Sequence, residues 1–446
     1  MAFFALHMHQ PSLSRSAPWR YVTFAALYAA QGIPEGLTFF GIPAWLALNE
    51  VEAGPIGAYL AVITLPWSFK LLAGPLMDRW TFLPMGRRRP WVLFGQLGLI
   101  LSLLLLGVVP APLEHLTWLS AAGFLVSFFG AFQDVATDGM AVDVIPVSEQ
   151  ARANGLMWGA KTLGTAASLS LSTWLINHHG LDAAVIALAS GVTLIMMLPL
   201  FLRERPGERR LPWMRGTASP EALAMQVGSW RDIGITLRKA FTLRGSLAMA
   251  VGGFGLGMLM GYMDALLPVF TIQRLDWSNE AYANTLATAH TVSALAAMAV
   301  GGWLVDRLGH VRLMNVYLGL LLLLSLGVAL SHAQWMSKGF GTALIGVSQV
   351  LIVFLMVAYL ATSMALCWRR VAATQFTLFM AIGNMGRGAG AALIGPARNG
   401  TEWPGTFLVF GGLVLLSAVV VQGINVRRQQ RALDLLEREH LVRETP

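Results

Sequence analysis

The residues that could do chemistry here are ionisable and amide side chains set in otherwise apolar stretches. Gln31 and Glu35 lie four apart in Gln31-Gly32-Ile33-Pro34-Glu35-Gly36, so a helix puts them on one face. Asp134 and Asp138 repeat that spacing beside Gln133, and Lys161 lies in the next apolar run. The second half carries Asp264, His290, Gln349, Asn384 and Arg387, with the last two sharing a face at a spacing of three. Ionisable groups inside a membrane are costly and mark ion or substrate paths. Buried charges also persist as purely structural pairs, which is the competing reading. A helix rises about 1.5 Å per residue, which puts Lys161 roughly 15 Å, Asp138 about 10 Å and Asp134 about 16 Å from one membrane edge. The expectation is that Lys161 meets these carboxylates, Asp134 first. By the same rise, His290, Gln349 and Arg387 lie about 22–25 Å deep, level with Glu35, and one convergent layer of the four is expected. The chemistry these types offer is charge pairing and proton exchange. The sequence holds no H-E-x-x-H, no G-x-S-x-G and no Walker A pattern, so an enzyme acting within the membrane has no apparatus. No cofactor or metal is called for, and the single cysteine, Cys367, excludes an internal disulfide.

A second constellation is duplicated. Gly74-Pro75-Leu76-Met77-Asp78-Arg79 is followed by Gly86-Arg87-Arg88-Arg89, and 228 positions after the first Asp-Arg comes Asp306-Arg307, ahead of Gly309-His310-Val311-Arg312. An Asp-Arg pair and a basic cluster at a membrane edge can lock one helix bundle against another and release it as the bundles rock. Asp78, Arg79, Arg87, Arg88, Arg89, Asp306 and Arg307 are the expected gate. Asp143, at the end of its apolar run, joins them as gate or cap. The basic cluster also anchors topology.

These residues must be positioned by membrane helices. Of the 446 residues, 56% are hydrophobic and only 12% are charged, with a mean hydropathy of +0.61. A span needs about 20 apolar residues. Twelve such runs are read, near 20–47, 55–77, 91–110, 117–145, 151–176, 181–202, 245–271, 280–305, 313–333, 340–366, 372–396 and 405–426. The fold expected is all-α and integral to the membrane, with six-helix bundles over 1–202 and 241–446 joined by a linker over 203–240. Helices 1, 4, 7 and 10 should line a central cavity. No cleavable signal peptide is read ahead of the first run. With the N-terminus inside, only Arg274, Lys338 and Arg398 fall in outer loops, while Lys70, Lys161 and Arg387 lie within spans. Every other Lys and Arg is cytoplasmic. That asymmetry places both termini in the cytoplasm and accounts for the net charge of +8 without nucleic acid. A monomer in the bilayer is expected. Pro34 and Pro43 should kink helix 1, since proline removes a backbone donor. Pro268 repeats Pro43 at an offset of 225, as two related bundles require. Gly253, Gly257 and Gly261 favour close helix packing. Glu221–Ala240 and the tail Arg427–Pro446 read as surface-lying amphipathic helices.

The duplicated Asp-Arg pattern resembles the signature between helices 2 and 3, and again between helices 8 and 9, of major facilitator transporters. Within roughly 21–165, the chain is similar to the peptide/acetyl-coenzyme A transporter group that includes the bacterial muropeptide permeases (AmpG-like). The residues that carry this are Gln31–Gly36, Pro66-Trp67-Ser68-Phe69-Lys70, Gly74–Arg79, Gly86-Arg87-Arg88-Arg89-Pro90-Trp91 and Gln133-Asp134 with Asp138. Siderophore importers of twelve-helix build are similar too. The resemblance implies a proton-driven importer of a sizeable polar solute in the bacterial inner membrane. A membrane sensor or scaffold of the same fold is the alternative from another class, but it has no reason to keep charges on several spans.

Overall fold

The computed structural model describes residues 12–224, 238–239, 241–337, 339–368 and 372–444. In the first half, α1 runs Ala17–Glu35, widens into a π-helical turn at Gly36–Gly41 and resumes as Ile42–Leu48. α2 runs Ala53–Phe69, tightens at Lys70–Leu72 and ends with Ala73–Arg79. α3 (Arg89–Gly107), α4 (Leu116–Val144), α5 (Val147–His179) and α6 (Leu181–Phe201) follow. In the second half, α7 (Arg244–Val269) ends in a wide turn at Phe270–Arg274. α8 runs Asn279–Ala296, widens at Ala297–Gly301 and ends with Gly302–Leu308. α9 (His310–Leu330), α10 (Phe340–Ala365), α11 (Ala372–Ala392) and α12 (Trp403–Val421) follow, and α13 (Val426–Glu444) closes the chain.

The order of α1–α12 matches the twelve apolar runs. Seven of them, α3, α4, α6, α7, α9, α10 and α12, are long and apolar enough to cross a membrane by length and composition alone. The others are interrupted, short or polar. They are α1, α2, α5, α8 and α11, which carry Glu35, Lys70, Lys161, His290 and Arg387. Pro34 does not break α1. It lies buried inside the helix, and the π-helical turn beyond it absorbs the irregularity before Pro43. The corresponding helices α2 and α8 both lose regular winding just before their Asp-Arg pairs, one in a tight turn and one in a wide turn.

Within the first half, α1 packs on α5, α6 and α4, and α3 on α4 and α6. Within the second, α7 packs on α11 and α12, and α9 on α10 and α12. The halves meet through α2 against α11 and α5 against α8. Glycine allows the closest approach inside the second half. A Cβ at Gly261 would lie 1.8 Å from the Arg387 carbonyl oxygen, and one at Gly257 1.9 Å from that of Gly383.

The chain after α6 is less of a linker than the sequence suggests. Leu13 N–H donates to the Arg203 carbonyl (2.8 Å), Ser14 N–H to that of Glu204 (2.9 Å) and Arg209 N–H to that of Pro84 (2.6 Å). The Glu204 carboxylate is fully buried and accepts the backbone N–H groups of Arg87 (2.9 Å), Arg88 (2.7 Å) and Arg89 at the start of α3. A carboxylate at a helix N-terminus meets unpaired donors and the positive end of the dipole. Packing of the first half thus continues past residue 202 to Ser219, whose hydroxyl donates to Glu208 (3.0 Å). Burial pushes the Glu204 carboxyl up against the pull of those three N–H groups. Burial, with the Glu204 charge second, pushes Glu208 up to about 7. Of the expected surface helix at Glu221–Ala240, Pro220–Ala224 is helical. Residues 225–237 and 240 lie outside the described residues. α13 docks on the second half: Leu433 packs with Trp368, and Gln429 Nε2 donates to Ser246 Oγ (2.8 Å).

Candidate functional site

The first half brings its buried charges together from four helices. The Lys161 ammonium on α5 lies 3.3 Å from a Glu35 oxygen on α1. The Lys70 ammonium, at the tight turn of α2, donates to Asp134 Oδ2 on α4 at 3.0 Å. The Tyr28 hydroxyl on α1 donates to Asp138 Oδ1, one turn below Asp134. This corrects the expected pairing: Lys161 belongs to Glu35, and Asp134 takes Lys70. Rise along a helix does not say which way the helix is turned. Lys70, which the sequence shows only as an in-span charge, is the cation of Asp134, and its position inside a span is the signal that marks it. Tyr28 was missed as well, although it stands seven residues before Glu35 on the same face.

Trp67 ties these pairs to each other. Lys70 and Lys161 lie 5.7 Å and 5.3 Å from its ring centroid, and Lys161 is 5.5 Å from that of Trp158. Cations over indole faces gain electrostatic attraction, more when desolvated. The Trp67 carbonyl accepts from Asn384 Nδ2 of α11 at 3.2 Å, so it also touches the second half. Gln133 Nε2 donates to the Leu27 carbonyl (3.2 Å) and to Thr137 Oγ1 (3.1 Å). Gln31 is 1% exposed, and among the described residues its side-chain amide has no hydrogen-bond partner.

The second half contributes an ion pair and a hydrogen-bonded pair. Arg387 Nε donates to Asp264 Oδ2 at 2.7 Å, joining α11 to α7. His290 Nε2 and Gln349 Oε1 are 3.0 Å apart, joining α8 to α10. Both pairs rest against aromatic rings of α1. The Arg387 guanidinium sits 4.6 Å from the Phe39 centroid, and the His290 ring meets Phe40 edge-on at 4.9 Å. Arg387 and His290 are close enough to Glu35 to act on its charge. Of the expected layer, His290 and Gln349 are bonded to each other, and Arg387 and His290 rest on Phe39 and Phe40, the rings that follow Glu35 along α1. Neither Glu35 nor Asp134 is turned outward: their side chains are 19% and 9% exposed.

The expected gate residues divide. Arg87 Nη1 meets Asp143 Oδ1 at 3.0 Å, and Arg88 Nε is 3.9 Å from Asp143 Oδ2. Arg89 is fully buried and donates to the carbonyls of Pro199, Leu200, Met85, Arg209 and Arg210. Arg89 thus braces α3, α6 and the following chain inside the first half, and is not placed as a contact between halves. Asp143 likewise serves its own half, accepting Arg87. Arg307 is exposed over the Trp303 ring at 5.2 Å. The side chains of Asp78, Arg79 and Asp306 lie outside the described residues.

At the end of the molecule away from the termini, the halves are bonded together. Asn177 on α5 and Asn279 at the start of α8 exchange hydrogen bonds of 2.8 and 2.9 Å, and Asn177 Nδ2 also donates to Glu280 Oε1 at 2.9 Å. Gln273 Nε2 donates to the carbonyls of Ala47 (3.0 Å) and Val51 (2.9 Å). Glycines let the backbones close there: a Cβ at Gly57 would stand 2.2 Å from the Ala391 carbonyl oxygen.

Residues 24–396 match the model of the Major Facilitator Superfamily. Among curated proteins, the anhydromuropeptide permease of Escherichia coli (strain K12) is 31% identical over 148 residues, which span 33% of this chain and 30% of the permease. Two solved structures share the fold at low identity. The nucleoside transporter NupG superposes with a TM-score of 0.69 at 12% identity, covering 91% of this chain and 98% of that one. A bacterial homologue of the human drug peptide transporters superposes with a TM-score of 0.67 at 13% identity, covering 94% and 100%.

Proposed function

Because the chain belongs to the Major Facilitator Superfamily, we propose that its buried charges are the coupling and binding apparatus of a proton-driven importer. The solute proposed is sizeable, polar and muropeptide- or peptide-like, and the membrane is the bacterial inner membrane. One observation carries this reading: each half holds its own buried ion pair beside the plane where the halves meet, Glu35–Lys161 in one and Asp264–Arg387 in the other. A bundle that rocks against its partner can exchange such pairs, and an amphoteric solute can take a member of each. The similarity to the anhydromuropeptide permease supports the solute class. Both termini are placed in the cytoplasm by the basic asymmetry. The bonded end is then the outer one, and the conformation faces the cytoplasm. The carboxylates are the groups that load a proton on one side and unload it on the other.

The test is uptake into vesicles holding the purified chain. With acid outside, a labelled anhydromuropeptide should accumulate above its external concentration, and a protonophore should abolish the excess. Accumulation indifferent to the proton gradient would remove proton coupling. Absence of binding and uptake of anhydromuropeptides and of short peptides would remove the solute class.

A further inference from the structure

We infer that Asp138 is the group that carries the coupled proton, and that Lys70 conveys its charge state to the cytoplasmic end of α2. The inference rests on the proton-driven reading above and names the group within it. Asp134 and Asp138 lie one turn apart on α4, and among the described residues Lys70 is the cation within hydrogen-bonding distance of either. Lys70 gives its ammonium to Asp134 at 3.0 Å. Asp138 is held instead by the neutral hydroxyl of Tyr28. A carboxylate bonded to its own cation keeps its charge, because removing the charge strands the partner. The carboxylate beside it, held by a phenol, is the one that can accept a proton without stranding a cation.

Among the described residues, charged and titratable groups reach Asp138 from several of the helices packed on it. Tyr28 faces it from α1, Lys70 from α2 and Lys161 from α5, with Asp134 on its own helix. Before α3, Arg88 lies against Gly139, 2.7 Å from where a Cβ would stand, but Arg88 also answers to Asp143. Lys161 is engaged by Glu35. Lys70 is therefore the cation that Asp138 shares with Asp134.

Lys70 is also placed to move something. It opens the tight turn Lys70–Leu72, from which Ala73–Arg79 hangs with its Asp-Arg pair. It lies against Trp67, whose carbonyl holds Asn384 of the second half. With a proton on Asp138, Lys70 answers to Asp134 alone. Without it, two carboxylates on one face draw the ammonium. The step forms one O–H bond at Asp138 with a proton from water on the acidic side, and breaks it by return to water on the other.

Infrared difference spectra of the full chain in lipid nanodiscs, titrated across pH, read this without any solute. Beside any band removed by Glu204→Gln or Glu208→Gln, the wild type should show the carbonyl stretch of a further carboxyl group that loses its proton. Asp138→Asn should lose that band, and Glu35→Gln should keep it. Tyr28→Phe should keep the band and displace its midpoint, which tests the assignment even if Asp138→Asn proves unstable to heat. A wild type with no such band, its persistence in Asp138→Asn, or a midpoint unmoved in Tyr28→Phe would each overturn the inference. In vesicles, Asp138→Asn should lose gradient-driven accumulation of labelled anhydromuropeptide while retaining its exchange between the two sides. Full accumulation by that variant would overturn the inference while leaving the proposed import standing. A band lost in Asp138→Asn, in a wild type that shows no gradient-driven uptake, would keep the proton on Asp138 and remove import.

Discussion

Lys161 shows what a residue's depth can and cannot say. Counting rise along α5 placed its ammonium level with Asp134, yet it bonds Glu35 on α1. Depth follows from sequence because rise per residue is constant. The direction a side chain takes depends on how each helix is rotated in the packed bundle. The pair's energetics make a prediction. Removing one member of a buried pair strands the other and costs about 3–5 kcal/mol, whereas removing both costs much less. Glu35→Gln and Lys161→Gln should each lower the melting temperature of the purified protein clearly, and the double variant should recover most of the loss. A double variant as unstable as the sum of its parts would show that the two do not act as a pair.

At the scale of elements, the segment after α6 behaves as part of the first bundle. Its proline and arginine content reads as a linker, yet the buried Glu204 docks it on the N-terminus of α3. A pH dependence follows from Glu208. Its carboxyl rises from the ordinary 4.5 to about 7, through burial first and the Glu204 charge second. A group with a raised folded pKa binds more protons folded than unfolded between those two values, so stability falls as pH rises through that window and is level above it. At about 1.4 kcal/mol per pKa unit, the change is about 3 kcal/mol. Amide hydrogen exchange over 203–219, corrected for its intrinsic pH dependence, should show protection falling between pH 4.5 and about 7. Glu208→Gln should flatten that dependence. Protection that rises with pH would contradict the assignment.

For the whole molecule, the observed conformation is set by contacts between halves at the end remote from the termini. Those contacts rest on small residues. A Cβ at Gly57 would meet the Ala391 carbonyl oxygen at 2.2 Å, and one at Gly395 would meet the Gly54 Cα at 2.7 Å. Gly57→Leu should therefore hold these ends apart. Spin labels at the exposed positions 179 and 281, in a chain with Cys367 replaced by Ser, should report a longer distance than in the same chain with Gly57. On the import proposed above, uptake should fall as well, since alternating access needs both closures. An unchanged distance distribution would reject this.

What the sequence determined by itself was whatever depends on spacing along one chain. Apolar run lengths set the order of α1–α12, the basic residues imply a side for the termini, and the duplicated Asp-Arg pattern marks the two halves. The same logic picked out Glu35, Asp134, Asp138, Lys161, Asp264, His290, Gln349 and Arg387, because a charge or amide in an apolar run needs a reason. What only the tertiary structure decided was who pairs with whom. Glu35 took Lys161, Asp134 took Lys70, Asp138 was left to Tyr28, and Arg387 took Asp264. Arg89, expected at a moving gate, proved to be a buried brace on five backbone carbonyls. The physical reason is common to all of these. Helix periodicity is local and fixes a residue's height and face on its own helix. An ion pair is a contact between helices, and it depends on rotations that only the packing of α1, α2, α4 and α5 in one half, and of α7 and α11 in the other, can set.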